Sequence, residues 1–286
     1  MNTYVWLVKR EFWENRAIWM IPAAIGVLLT LASLFGTVEA TFFDSAERTR
    51  SMAAMMFLAF GALFFAAMSL YSYWYLLDCL YADRKDRSVL FWKSLPISDT
   101  ATVLSKLFVA LVALPMVYFA AADAASLLAA FVLSVRAHAR LGNALWQPDL
   151  WLQLQAVWLY VIVTTAIWYL PVTGWLLVVS AWAKRAVMLW SVLPPLAVIL
   201  AERLFIGTHV CLRAIDDRLI GYVSRAFDGD ADWADSWSRD QPFAAPSAWH
   251  ILDPLGFLSS PATWIGALVG AALIAAAIQL RTRKAD

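Results

Sequence analysis

Charge is scarce in this sequence. Only 15% of its 286 residues are Asp, Glu, Lys or Arg, against about 25% in soluble domains, and 62% are hydrophobic. A soluble enzyme and a disordered chain are both excluded as the starting reading. Net charge of one sign is missing too: 22 Lys and Arg stand against 21 Asp and Glu, so no basic field points to nucleic acid. The two cysteines, Cys79 and Cys211, fall on opposite sides of the membrane deduced below, which excludes an intramolecular disulfide. His138, His209 and His250 stand alone, without metal-ligand spacing. There is no G-x-x-x-x-G-K-[ST], no H-E-x-x-H and no G-x-S-x-G. The chain therefore has no Walker-type ATPase site of its own, and no catalytic residue or metal ligand is assigned.

What is present is apolar sequence in long runs. Spanning a bilayer takes about 20 mostly apolar residues. Six segments qualify, at about 18–38, 52–77, 103–135, 156–183, 186–206 and 262–280. The fold class is an all-α polytopic membrane protein with a single transmembrane domain over 1–286. The third segment is too long for the lipid alone and projects into water. Glu11 and Glu14 ahead of the first segment, and its length, argue against a cleaved signal peptide.

Lys and Arg in the loops set the orientation. With the N-terminus inside, the inner side collects 13 of them, including all six Lys. The outer side collects nine, four of them in one loop of more than fifty residues and a fifth, Arg203, at the end of the span before it, and long loops cross largely regardless of charge. Both termini are thus expected in the cytoplasm. The 16 Trp suit interfacial belts. Trp13, Trp19, Trp74, Trp182 and Trp190 fall near the inner face. Trp146, Trp151, Trp158 and Trp264 fall near the outer one.

Three stretches lie outside the spans. In residues 1–17, Val5, Val8 and Phe12 share one helical face, as in a helix lying on the inner surface; a plain extension of the first span is the other reading. The outer loop, 207–261, opens with apolar positions Leu212, Ile215, Leu219, Tyr222 and Val223, which predict an amphipathic helix over 209–227. Its acidic second half, 228–246, is expected to be irregular. The inner loop, 78–102, carries Asp83-Arg84-Lys85-Asp86-Arg87, then Leu90-Phe91-Trp92 and Lys93, with Pro96 as a stop and Ser98 as the next helix cap. Its apolar trio needs lipid or a protein partner to cover it. A solvated connection with an interfacial anchor fits the composition equally.

Within the spans, Asp123 is the one deep acid, and by default it faces the bundle or water. Two readings stand: a coupling or substrate-contacting carboxylate, and a hydrogen-bonded acid that ties helices. Glu202 and Arg203 mark an interface or shallow polar pocket. Pro115, Pro171 and Pro194-Pro195 favour kinks. Gly266 and Gly270 form a G-x-x-x-G that packs helices closely within the chain or joins two copies.

The stretch from Tyr81 to Lys106, with its charged cluster and Leu90-Phe91-Trp92-Lys93-Ser94-Leu95-Pro96, resembles the loop after the second span in permease subunits of bacterial ABC-2-type transporters. The opening amphipathic helix and six spans are similar to that family's layout. The resemblance implies an exporter half: a second permease chain, homo- or heterodimeric, and two separate ATP-binding subunits that carry ATP and Mg. This chain would bind no cofactor and, apart from these partners, would contact membrane lipids in a bacterial inner membrane. A coupling helix seated in the ATPase would fall on Asp83 to Lys93. Phe91 and Trp92 would be its anchors, with Arg84, Lys85, Asp86 and Arg87 setting register. An amphipathic or hydrophobic cargo would suit a path past Asp123, Trp168, Tyr169 and Trp175. Other readings are a secondary transporter using Asp123, a membrane anchor or sensor, and an intramembrane lipid-modifying enzyme.

Overall fold

The structure, a computed structural model, describes residues 3–36, 46–85, 98–136, 145–227 and 252–283. Six of its helices are long and apolar enough to cross a membrane. The chain is a multi-pass, all-helical protein, and among the described residues the one extended pairing is an isolated bridge between Phe227 and Leu252.

Helix α1 (Thr3–Glu14) precedes α2 (Ala17–Phe35). Helix α3 (Ala46–Lys85) returns over 40 residues, and α4 (Asp99–Arg136) leads away again over 38. At about 1.5 Å per residue both exceed the roughly 30 Å hydrocarbon thickness and must project beyond it. The second span thus does not stop at Leu77: it continues two turns, through Asp83 and Arg84, before residues 86–97, which lie outside the described residues. Ser98 caps α4 as expected, accepting from the Ala101 amide at 3.1 Å.

Pro115 sits inside α4, where its ring would collide with the carbonyl four residues back. The chain answers with one wide π-helical turn over Val109–Ala113, in which the Leu114 amide reaches the Val109 carbonyl. The fourth segment begins earlier than the apolar run indicates, because Pro148 opens a helix at its favoured first position. It divides at Tyr169, ahead of Pro171, into α5 (Pro148–Trp168) and α6 (Leu170–Trp182). Ala186, at φ +51°, turns the chain sharply into α7 (Val187–Ile206). The distal helices α8 (Val210–Leu219), α9 (Tyr222–Ala226) and α10 (Pro254–Ser259) lead to α11 (Pro261–Arg283). The single helix expected over 209–227 is therefore two short ones, broken at Ile220-Gly221. Arg218 turns into the bundle there while Ile220 points out.

Span directions alternate, so Glu14 of α1 and Arg281 of α11 lie at one end, called here the α1 end. Two same-direction pairs make the core. In the α2–α4 pair, Gly26 faces Ala125. In the α6–α11 pair, contact is at backbone level. A Cβ on Gly270 would lie 2.6 Å from the Leu170 carbonyl carbon, and one on Gly174 would lie 2.8 Å from the Gly270 oxygen. The G-x-x-x-G thus packs inside this chain, as small residues do where helices lack a hydrophobic drive to associate in lipid. Of the tryptophans expected near the faces, Trp151 is half-buried against Phe57. Trp158 is buried against Phe119 rather than interfacial, while Trp13, Trp19, Trp74, Trp182, Trp146 and Trp264 are exposed.

Because backbone, not a movable side chain, blocks the Gly270 position, Gly270→Val should separate α6 from α11. We expect a loss of at least about 1–3 kcal/mol, read as a lower thermal midpoint by tryptophan fluorescence in detergent. An unchanged midpoint would contradict this packing.

Candidate functional site

At the α1 end, charges from four separate elements meet out of water. Lys106 of α4 is 2% exposed, as is Glu11 of α1, and Lys106 Nζ donates to Glu11 Oε1 at 2.9 Å. Tyr75 of α3 donates its hydroxyl to the other Glu11 oxygen at 2.9 Å. Asp83, near the end of α3, lies 3.5 Å from Lys106 Nζ and 3.6 Å from Arg10 Nη2. Arg281 of α11 donates Nη1 to Asp83 Oδ2 at 3.0 Å and Nε to Asp99 Oδ1 at 2.9 Å. Arg10 also reaches Glu11 and, one turn on, Glu14, both at 3.2 Å. A lone buried charge is costly enough to neutralise, so such groups persist only in mutual contact. Glu14, at the rim, is pushed above the usual carboxylate range by partial burial, with Arg10 opposing.

This network decides how α1 is rotated. Leu7 and Glu11 point in, Val8 and Phe12 pack beside them, and Val5 faces out with Tyr4, Trp6 and Trp13. The face drawn through Val5, Val8 and Phe12 is therefore turned by about one position, because Glu11 is held by Lys106 and Tyr75. Lys9 sits over the Trp6 ring at 5.2 Å on the outward side.

The residues read as a coupling segment divide. Asp83 is inside the network. Arg84 folds back on the α6 C-terminus, with Nη2 donating to the carbonyls of Ser180 and Ala183, where the helix dipole favours a cation. Lys85 ends α3, exposed. Asp86, Arg87, Phe91, Trp92 and Lys93 lie outside the described residues. The stems on either side of residues 86–97 are both fastened by Arg281, through Asp83 and Asp99.

The residues read as a transport path are not gathered around one channel. Asp123 is half-buried and accepts from Gln155 Nε2 at 2.8 Å, tying α4 to α5. Trp168 is fully buried at the distal end: its Nε1 donates to the Arg218 carbonyl at 2.9 Å. The Arg218 guanidinium lies 4.2 Å over the Trp168 ring and donates to the Trp168 and Ala262 carbonyls. Trp175 donates to the Ser191 carbonyl at 2.9 Å, joining α6 to α7. Tyr169 lines an apolar cavity of about 310 Å³ among α3, α4 and α6, beside the π-helical turn.

Glu202 has a use not read from the sequence. It accepts from Thr208 Oγ1 and the Val210 amide at 2.6 Å each, and from the Cys211 amide at 2.8 Å, so a carboxylate from α7 caps the start of α8. Lys106, Arg281 and Tyr75 are the other functional-looking groups that spacing missed. Their partners stand 95, 198 and 64 residues away, beyond any local pattern. Among the described residues no group of His, Cys, Asp and Glu is placed to hold a metal ion.

No family model, curated protein or solved structure matches this chain.

Replacing Lys106 by Met would leave Glu11 and Asp83 buried with one cation fewer. We expect Lys106→Met to cost roughly 3–5 kcal/mol in detergent unfolding. Adding Glu11→Gln should recover part of that loss, giving a coupling energy well outside additivity. Strict additivity would show that the two side chains do not interact.

Proposed function

We propose that this chain is the membrane-spanning permease subunit of an ATP-driven ABC-2-type exporter. It would pair with a second permease chain and with two separate ATP-binding subunits beneath the cytoplasmic face of a bacterial inner membrane. The observation that carries the reading is the resemblance of Tyr81 to Lys106 to the loop by which such permeases contact their ATPases. The layout supports it: an amphipathic helix followed by six helices able to span, with α1 fastened to the stems of that loop at one end of the bundle.

In this reading the α1 end is cytoplasmic. ATP binding draws the two ATPases together, and the loop residues Phe91 and Trp92 carry that motion into the permease. Transport is driven only if cargo binds the inward and outward states with different affinity. ATP and Mg belong to the partner, and the chain performs no hydrolysis itself. The cargo class this reading favours is amphipathic or hydrophobic.

A secondary transporter working through Asp123 is the second reading, and the half-buried position of that acid inside a span favours it. The two separate by energy source: nucleotide for the first, a proton gradient for the second.

The test is co-purification of the tagged chain with ATP-binding subunits from its own source. The expected complex holds ATPase and permease in equal number. Phe91→Ala with Trp92→Ala should release the ATPases while the membrane domain keeps its elution volume and unfolding midpoint. A double variant that assembles and transports normally would refute the coupling assignment.

A further inference from the structure

Beside the ion network lies a cavity of about 680 Å³ between α1, α3 and the start of α7. That volume is in the range of small-molecule sites, about 300–1,000 Å³. Among the described residues, four carboxylates line it, Glu11, Glu14, Asp78 and Asp83, with one cation, Lys106. Lys106 is already committed to Glu11 and Asp83. Among the described residues, Arg10, Lys106 and Arg281 face the carboxylates of Glu11, Glu14, Asp83 and Asp99. Asp78 is exposed on the wall and has no partner among the described residues.

Independently of charge, the walls carry the rings of Tyr71, Trp74, Tyr75 and Tyr81, with Val187 and Met188 closing one side. Trp74 is about half exposed, its indole standing edge-on to Tyr73. Aromatic faces attract cations, most strongly where water is thinned out, and they also bury apolar substituents. A metal ion would find no use for such walls, and an anion would meet carboxylates. A cation with an apolar body satisfies both halves of the lining.

We propose that this cavity is a binding site for a hydrophobic organic cation, an ammonium or phosphonium whose charge sits at Asp78 and Glu14 and whose body lies against Trp74 and Tyr81. Glu11 and Asp83, held by Lys106, form the floor and supply field rather than direct contact. The assignment goes beyond the permease reading and does not depend on it, since occupancy is a property of the purified chain alone.

The test uses two ions of nearly the same shape and opposite sign. Tetraphenylphosphonium and tetraphenylborate are each equilibrated with the full chain in neutral detergent, with protein-free micelles subtracted. The phosphonium should bind saturably at about one per chain, and the borate should not. Asp78→Asn should weaken the phosphonium by about tenfold, and Trp74→Ala should weaken it by a similar factor. Both side chains are exposed, so the variants should keep the parent unfolding midpoint. If Trp74→Ala loses its fold, Asp78→Asn alone decides. Ethanolamine headgroups offer the same ammonium chemistry. Competition in nanodiscs of phosphatidylethanolamine, absent with phosphatidylglycerol, would assign the site to the lipid, and no competition would assign it to a soluble cation. Equal binding of both ions, or phosphonium binding unmoved by Asp78→Asn, would overturn the proposal.

Discussion

Lys106 and Glu11 are buried together, and much of the molecule is arranged so that they can be. Neither charge could stay at that depth alone. Lys106 is compensated by Glu11 and Asp83, Asp83 needs Arg10 and Arg281 as well, and Arg281 needs Asp99. These partners sit on four helices. Satisfying one buried ion therefore draws α1, α3, α4 and α11 to a common point. Against a well-packed apolar alternative such a network has little net stability to offer. What it does specify is position: α1 has one rotation, and the α11 end has one place to go.

The rest of the bundle is held by a different physics. In lipid, apolar side chains gain little by leaving one apolar neighbour for another, so close backbone approach and satisfied polar groups carry the packing. Gly174 and Gly270 let α6 and α11 touch. At the distal end Arg218 reaches across to the last carbonyl of α5 and an early one of α11, over the Trp168 ring. That single guanidinium ties the tops of α5 and α11, and Arg281 ties the other end of α11 to α3 and α4. Between them, α2 and α7 expose most of their surface, with only Ile18 and Pro22 of α2 and Ser191 and Glu202 of α7 buried.

What was legible in the sequence follows the range of the interactions. Span number came from runs of apolar residues, and the Ser98 cap from a local pattern, because those features depend on neighbours in the chain. Amphipathicity ranks Glu11 as a solvent residue, and only contacts 64 and 95 residues away reverse that. Trp158 looked interfacial by depth, yet Phe119 and Gly61 make a slot for it. Glu202 and Arg203 suggest an interface or shallow polar pocket, and Glu202 turns to α8 as its cap. In each case a polar or amphipathic side chain found a partner that periodicity does not encode, across the fold for Glu11 and Trp158 and past the helix end for Glu202. Asp123 is the intermediate case. Its default, to face another helix, was readable, and only the identity of Gln155 was not.

The position of Arg281 gives the network a mechanical consequence. Asp83 and Asp99 bracket residues 86–97, and one guanidinium holds both, on geometries of 3.0 and 2.9 Å. A displacement of one stem therefore cannot carry it freely past the other. It is delivered first to Arg281, and so to α11. It also passes through Asp83 to Lys106 and Arg10, and so to α4 and α1. Because α11 is locked to α6 by backbone contact at Gly270, the displacement continues along that pair rather than being absorbed at the interface. Packed helices with no room between them shift as units. Arg218, on the Trp168 and Ala262 carbonyls, is where a shift of that pair reaches the distal end. Two arginines and a glycine contact thus link the α1 end of the bundle to its distal end.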